Sequence, residues 1–137
     1  MIVFPYTSIK RVNGVSHKGP YIPVFIRHPE GKLLRFLALI DSGADSCVIS
    51  KSTADLLQIK AGKEEETEGI GGKAKGAWGK FSFVVEGEHE KHVFNHVKVF
   101  ILQDDLDVPI LLGRNSFFDK FEISFIKNSK IKIRKTE

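Results

Sequence analysis

The sequence has one cysteine (Cys47), one tryptophan (Trp78) and five prolines in 137 residues. A lone cysteine cannot close an internal disulfide, which excludes a small disulfide-stapled scaffold. No apolar run approaches the roughly 20 residues that a membrane-crossing helix needs. The stretch MIVFPYTSIK lacks a charged start, a long apolar segment and a small-residue cleavage site, so it does not read as a secretory signal. These absences lead to the expectation of a cytoplasmic protein with no membrane partner. A strong charge imbalance is missing too. The net charge of +4 bears on solubility more than on fold. With no repeat, linker or low-complexity tract, residues 1–137 are expected to form one domain.

Phenylalanine, by contrast, is abundant at eleven residues, and the chain is 42% hydrophobic and 28% charged, a globular balance. The apolar segments are short and separated by turn residues. YIPVFI (21–26) precedes HPEGK (28–32), a turn with Pro and Gly. LLRFLALI (33–40) is apolar enough to predict a central buried strand. SKSTADLLQI (50–59) predicts a helix capped by Ser50 or Ser52, with Ala54, Leu56 and Leu57 inward. KEEETEGIGGKAKGAWGK (63–80) reads as a hairpin. FSFVVE (81–86) and VFNHVKVFIL (93–102) predict strands flanking the polar turn 87–92. DVPILLG (107–113) is another buried run, RNSFFDKF (114–121) a short helix, and EISFI and KIKIRK two closing strands. Many short strands with one or two short helices predict an all-β fold, a small closed barrel or sandwich.

Several motifs lack the context that their chemistry needs. GIGGKA fits the dinucleotide pattern but follows EEETE rather than a strand. GAWGKF lacks the Ser or Thr that a phosphate loop needs. HEKH (89–92) is one residue short of the zinc-protease motif, so His89, His92 and His96 read as a solvated turn and no metal or other cofactor is expected. Cys47 reads as a small core residue. In the basic tail, Lys127, Lys130, Lys132, Arg134 and Lys135 alternate with Ile131 and Ile133, which predicts an edge or dimer-forming strand; nucleic acid is not an expected partner.

LIDSGADSCVIS (39–50) carries the chemistry. Asp41 ends an apolar run, and a half-buried carboxylate there is costly unless something holds it. Ser42 brings a hydroxyl and Gly43 allows close backbone approach. One carboxylate is a weak catalyst of amide hydrolysis. Two at close range cannot both ionise cheaply and share one proton, so one can deprotonate a water while the other protonates the carbonyl oxygen. The chain has no second copy of the motif; DDLD (104–107) lacks the Ser/Thr-Gly. The other half of a dyad would have to come from a second chain, as in a two-fold homodimer.

LIDSGADSCVIS, followed in order by GIGG (69–72), PILLGRNSFF (109–118) and FEISF (121–125), resembles retropepsin-like aspartic proteases over residues 21–126. The resemblance implies the small closed β-barrel of that family with a glycine-rich flap hairpin. It implies that Asp41 is the catalytic carboxylate and that Ser42, Gly43, Leu111, Leu112 and Gly113 support its loop. Gly43, Ala44, Asp45, Ile70, Gly71 and Gly72 would contact substrate, the last three from the flap. Asp45 would form a buried ion pair with Arg114, which could be structural, substrate-related or both. The implied activity is a homodimeric aspartic endopeptidase acting on extended peptide or protein substrates. The alternative is a non-catalytic dimeric peptide-binding or assembly module on the same fold.

Overall fold

A computed structural model describes residues 1–10, 13–69, 72–104 and 107–136. The elements are β1 (Ile2–Pro5), β2 (Thr7–Lys10), β3 (Ser16–Gly19), β4 (Tyr21–Arg27), β5 (Leu33–Ile40), β6 (Cys47–Ile49), α1 (Lys51–Leu56), β7 (Glu64–Gly69), β8 (Gly72–Glu86), β9 (Lys91–Leu102), β10 (Ile110–Leu112), a 3₁₀ turn (Phe118–Lys120), β11 (Phe121–Ile126) and β12 (Lys130–Lys135). The order β4-β5-β10-β6-β9-β8 closes on itself where Phe25 of β4 meets Val84 of β8. The result is the expected closed six-strand β-barrel with very little helix.

Strand order explains how the fold positions the DSGAD segment. β5 and β6 are not neighbours: β10 lies between them, parallel to β5 and antiparallel to β6. The chain leaving β5 at Ile40 must cross the end of β10 to enter β6, so loop 41–46 is laid over Leu112 and Gly113. The core beneath is largely aromatic. Phe83 stacks on Phe94 at 4.5 Å between centroids, and Phe117 bridges Phe94 (5.6 Å) and Phe121 (5.2 Å). Each buried ring contributes about 1.5–3 kcal/mol through the apolar surface it removes from water. Both ends of the chain reach this core through a second sheet, β1-β12-β11.

Several expectations need correction. β5 is central only at its C-terminal end, where Ala38–Ile40 pair with β10; Leu33 is 54% exposed. In α1, Ser50 caps as predicted by accepting the Thr53 N–H, and Ala54 and Leu57 are buried. Leu56 is exposed, because it is not on the i, i+3 face that Ala54 and Leu57 share. β9 begins two residues early, at Lys91. A bulge opposite Phe81–Phe83 sets His96 at φ 52°, with its N–H donated to Ser82 Oγ at 2.9 Å, so His96 lies on the strand β9 rather than in the turn and breaks its side-chain alternation. β12 is not an edge strand: it pairs with β1 on one side and β11 on the other. The tail's alternating pattern is real, with Ile131 and Ile133 buried, but both its hydrogen-bonding edges are used within the chain. The strands β1, β2 and β3 carry no signal strong enough to have been expected.

Candidate active site

Asp41 is half-buried at the end of β5, and its environment is built by backbone groups. Its N–H donates to Leu112 O (3.0 Å), which pins the end of β5 to β10. Its Oδ1 accepts the Gly43 N–H at 2.9 Å, and its carbonyl accepts the Ala44 N–H at 3.2 Å, closing a tight turn. The carboxylate is therefore held in one orientation without a cationic partner among these contacts.

A second layer locks the loop from behind. The N–H groups of Arg114 and Asn115 donate to the carbonyls of Ala44 (2.9 Å) and Asp45 (2.8 Å). The Arg114 guanidinium donates one arm to Ser42 O at 3.0 Å and the other to Asp45 Oδ1. Gly113 is obligatory: a Cβ there would lie 2.4 Å from Ser46 O and 2.8 Å from Ala44 O. The Asp45–Arg114 pair forms as expected but is not buried in this chain, the two side chains being 72% and 53% exposed, because loop 41–46 lies at the surface. Below the loop, Cys47 is fully buried. Burial pushes its thiol above the ordinary value, a hydrogen bond from the Gly113 backbone opposes that, and the Asp119 charge adds to it.

The loop opens on a cleft of about 600 Å³. Gly43, Ala44, Asp45 and Ser46 line it on one side; Thr67, Glu68, Lys73 and Ala74 of the β7–β8 hairpin line it on another. Asp41 and Ser42 lie just outside this lining. Of the three residues expected to support the loop from β10, Leu112 and Gly113 are buried beneath it, whereas Leu111 faces the cleft. Gly72 pairs with Gly69 at the end of the hairpin ladder. Ile70 and Gly71 lie outside the described residues.

The far wall was not anticipated. It consists of Trp78 on β8 with Lys98, Phe100 and Leu102 on β9. Trp78 meets Phe100 edge-on at 5.1 Å, and the Lys98 ammonium sits 4.2 Å over the indole. The alternation Lys98, Phe100, Leu102 is a two-residue period that puts all three on one face of β9, a signal available in the sequence once that strand's cleft side is known. His92 instead meets Glu90 at 2.8 Å, away from the cleft. Among the described residues, no group of three or more His, Cys, Asp or Glu could hold a metal ion.

Comparison with known proteins places this geometry. A search of curated protein sequences returns no match. A solved retropepsin-like aspartic protease from Rickettsia conorii is 22% identical, superposes with a TM-score of 0.58, and is covered over 99% of its length by 96% of this chain. EIAV protease, solved in complex with an inhibitor, is 20% identical with a TM-score of 0.47, over 75% of this chain and 88% of that one. The first likeness establishes the retropepsin-like fold. A family model described as aspartyl protease matches residues 29–116, more than half of the sequence and the stretch that holds the Asp41 loop, β10 and Arg114. The chain belongs to the aspartyl protease family.

Proposed function

We propose that the chain is an aspartic endopeptidase active as a homodimer, with one water held between Asp41 of one protomer and Asp41 of its partner. The observation that carries this reading is the Asp41 carboxylate itself. Its Oδ1 accepts the Gly43 N–H while the Asp41 backbone N–H donates to the Leu112 carbonyl, its loop borders a cleft, and the sequence holds no second D-S/T-G motif to supply the other half of a dyad. Two such groups brought together share a proton, which supplies a general base for water and a general acid for the substrate carbonyl in one site. Across the dimer axis, Ser42 would brace the two loops.

Gly43, Ala44 and Asp45 would bind the backbone of an extended peptide, which would lie as an added strand beneath the β7–β8 hairpin acting as a flap. Ile70, Gly71 and Gly72 would form its tip. The exposed face of the Asp45–Arg114 pair would be covered by the second protomer or by substrate. Residues 1–137 would work as one domain in the cytoplasm, without a cofactor.

Cleavage of an unstructured protein between pH 3 and 7 tests the reading. Wild type should cleave best on the acidic side and be inhibited by pepstatin. Asp41→Asn should lose turnover while its urea unfolding midpoint and its dimerisation stay at wild-type values. Cleavage persisting in that variant rejects the mechanism. A folded wild-type dimer that binds peptides and cuts none of them favours the binding module.

A further inference from the structure

On the sheet that forms the far wall of the cleft, one pairing runs against ordinary strand chemistry. Three cross-strand pairs follow one another on one face of β8 and β9: Gly76 with Leu102, Trp78 with Phe100, and Lys80 with Lys98. The third sets two like charges directly opposite each other, which destabilises a ladder. Both lysines are exposed, and among the described residues neither forms an ion pair with a carboxylate.

The charge continues beyond the ladder. The Gly62 N–H donates to Trp78 O at 2.8 Å, which lays segment 60–62 against β8 and brings Lys60 into the same region. A shallow groove of about 280 Å³ there is lined by Lys60, Lys80, Arg27 and His96 over the apolar Leu57 and Phe81; among the described residues no Asp or Glu lines it. Lys98, for its part, lines the cleft. A cationic stripe therefore starts on the far wall of the cleft and runs outward over Lys80 into the groove. The acids of the cleft lie on its other sides: Asp45 is held by Arg114, and Glu68 is on the β7–β8 hairpin.

We infer that this stripe selects substrates by charge: the chain takes peptides that carry an acidic stretch beside the bond to be cut, with Asp or Glu side chains over Lys98 and Lys80 where the peptide leaves the cleft. This rests on the peptidase reading above and names its substrate class. An extended peptide is the fitting occupant for two reasons. Its same-side side chains repeat about every 7 Å, the spacing between the Trp78–Phe100 and Lys80–Lys98 pairs along their strands. One side chain can then rest on the apolar wall while the next on that side reaches the lysines. A single-stranded nucleic acid would find the charge but no stacking platform, because the indole of Trp78 carries the Lys98 ammonium at 4.2 Å and meets Phe100 edge-on.

Matched peptides test the stripe. Each pair shares one cut site and differs only in a short tract of Glu or of Gln, placed before the cut site in one pair and after it in the other. At about pH 6, where Glu is ionised, wild type should cut the Glu member of one pair about tenfold better in kcat/KM, through KM rather than kcat. That is the scale of two or three half-exposed charge contacts, and it should shrink as salt is raised from about 0.05 to 0.5 M. Lys80→Gln should bring the ratio close to one, and Lys80→Glu should invert it. Because the ratio compares two peptides on one protein, a change in folded fraction or in turnover cancels. Fluorescence anisotropy of the labelled peptides on Asp41→Asn reads the same preference without chemistry. If wild type cuts both members of each pair equally, or Asp41→Asn binds them equally, the stripe proposal is overturned and the peptidase reading is untouched. If wild type cuts no peptide while Asp41→Asn still prefers the Glu member, charge selection stands and the peptidase reading falls. A single-stranded oligonucleotide that displaces the Glu peptide at lower concentration than the unlabelled peptide does would assign the stripe to nucleic acid and overturn the proposal.

Discussion

Two parts of the molecule border the cleft and are built in opposite ways. Loop 41–46 is tied by Arg114, which lies 72 positions from Ser42 and 69 from Asp45 in sequence, by the strand end of β10, and by the close approach of Gly113. The β7–β8 hairpin faces it across the cleft but is held differently. Among the described residues β7 pairs only with β8, and β8 parts from β9 beyond Gly76. The first region therefore exists only when the whole fold exists, whereas the second is a local ladder added to the barrel. Groups that must be aligned to fractions of an ångström belong on the first kind of structure, and a cover that must admit a ligand belongs on the second. If that division is right, substitutions of similar size should have very different effects in the two places.

The sharpest break comes from Gly113→Ala. The added methyl meets two backbone carbonyls, at 2.4 and 2.8 Å, and neither can move without shifting the loop. Overpacking of this kind costs about 3 kcal/mol or more, enough to remove much of a small domain's stability. Urea unfolding should show either a large fall in midpoint or no folded protein. A fall below about 1 kcal/mol would mean that the loop yields easily, and the contrast with the hairpin would disappear.

Arg114→Ala should separate positioning from stability. The guanidinium is half-exposed and its pairing with Asp45 is screened by water, so unfolding stability should change by less than about 1 kcal/mol. Turnover should fall much further, by about a hundredfold, because Ser42 O and Asp45 lose their shared anchor and a displacement near 1 Å is costly in rate. Arg114→Lys offers one point charge in place of a two-armed fork and should recover little. A loss in stability equal to the loss in rate would assign Arg114 a purely structural role.

The same contrast explains what could be read from the sequence. The local signals were legible: a serine cap at 50 or 52, the turn at 28–32, the strand β4, the 81–86 half of β8, and the D-S-G-A-D and L-L-G-R-N segments with their order. What escaped depended on strand neighbours, which period-two patterns do not specify. LLRFLALI reads as buried throughout, yet only its last three residues find β10 beside them. KIKIRK reads as an edge, yet β1 takes one side and β11 the other. Lys98, Phe100 and Leu102 share a face in plain view, but the choice of that face as cleft rather than solvent follows from β8 pairing beside β9 with Trp78 opposite Phe100. Leu111 was expected to support the loop with Leu112, and alternation along β10 turned it to the cleft instead.

A smaller effect belongs to the braced region alone. Burial holds the Cys47 thiol protonated beyond its ordinary value of 9.0. The folded chain then binds this proton more tightly than the unfolded chain does. The associated stability is fully present below about pH 9 and is lost as pH rises through the folded value. Urea midpoints measured from pH 7 to 10 should fall on the alkaline side, and Cys47→Ala should shallow that fall relative to its own value at pH 7. Equal alkaline slopes in the two proteins would show that the site beneath the loop tolerates a thiolate.

The smallest effect should come from the hairpin. Glu66 and Lys73 face each other across β7 and β8 at 3.8 Å, with 48% and 66% of their side chains exposed. Glu66→Gln removes the charge and keeps the shape. An exposed pair of this kind contributes between 0 and about 1 kcal/mol, and the ladder's backbone bonds are untouched, so the unfolding midpoint should stay within about 0.5 kcal/mol of wild type. Any change should therefore be seen in peptide affinity, because the neighbouring Thr67, Glu68 and Lys73 line the cleft. An affinity that shifts while the midpoint does not would mark the hairpin as a cover energetically separable from the barrel. A midpoint shift as large as that of Gly113→Ala would mean instead that hairpin and loop share one cooperative unit, and that the division between a rigid centre and a local roof is drawn in the wrong place.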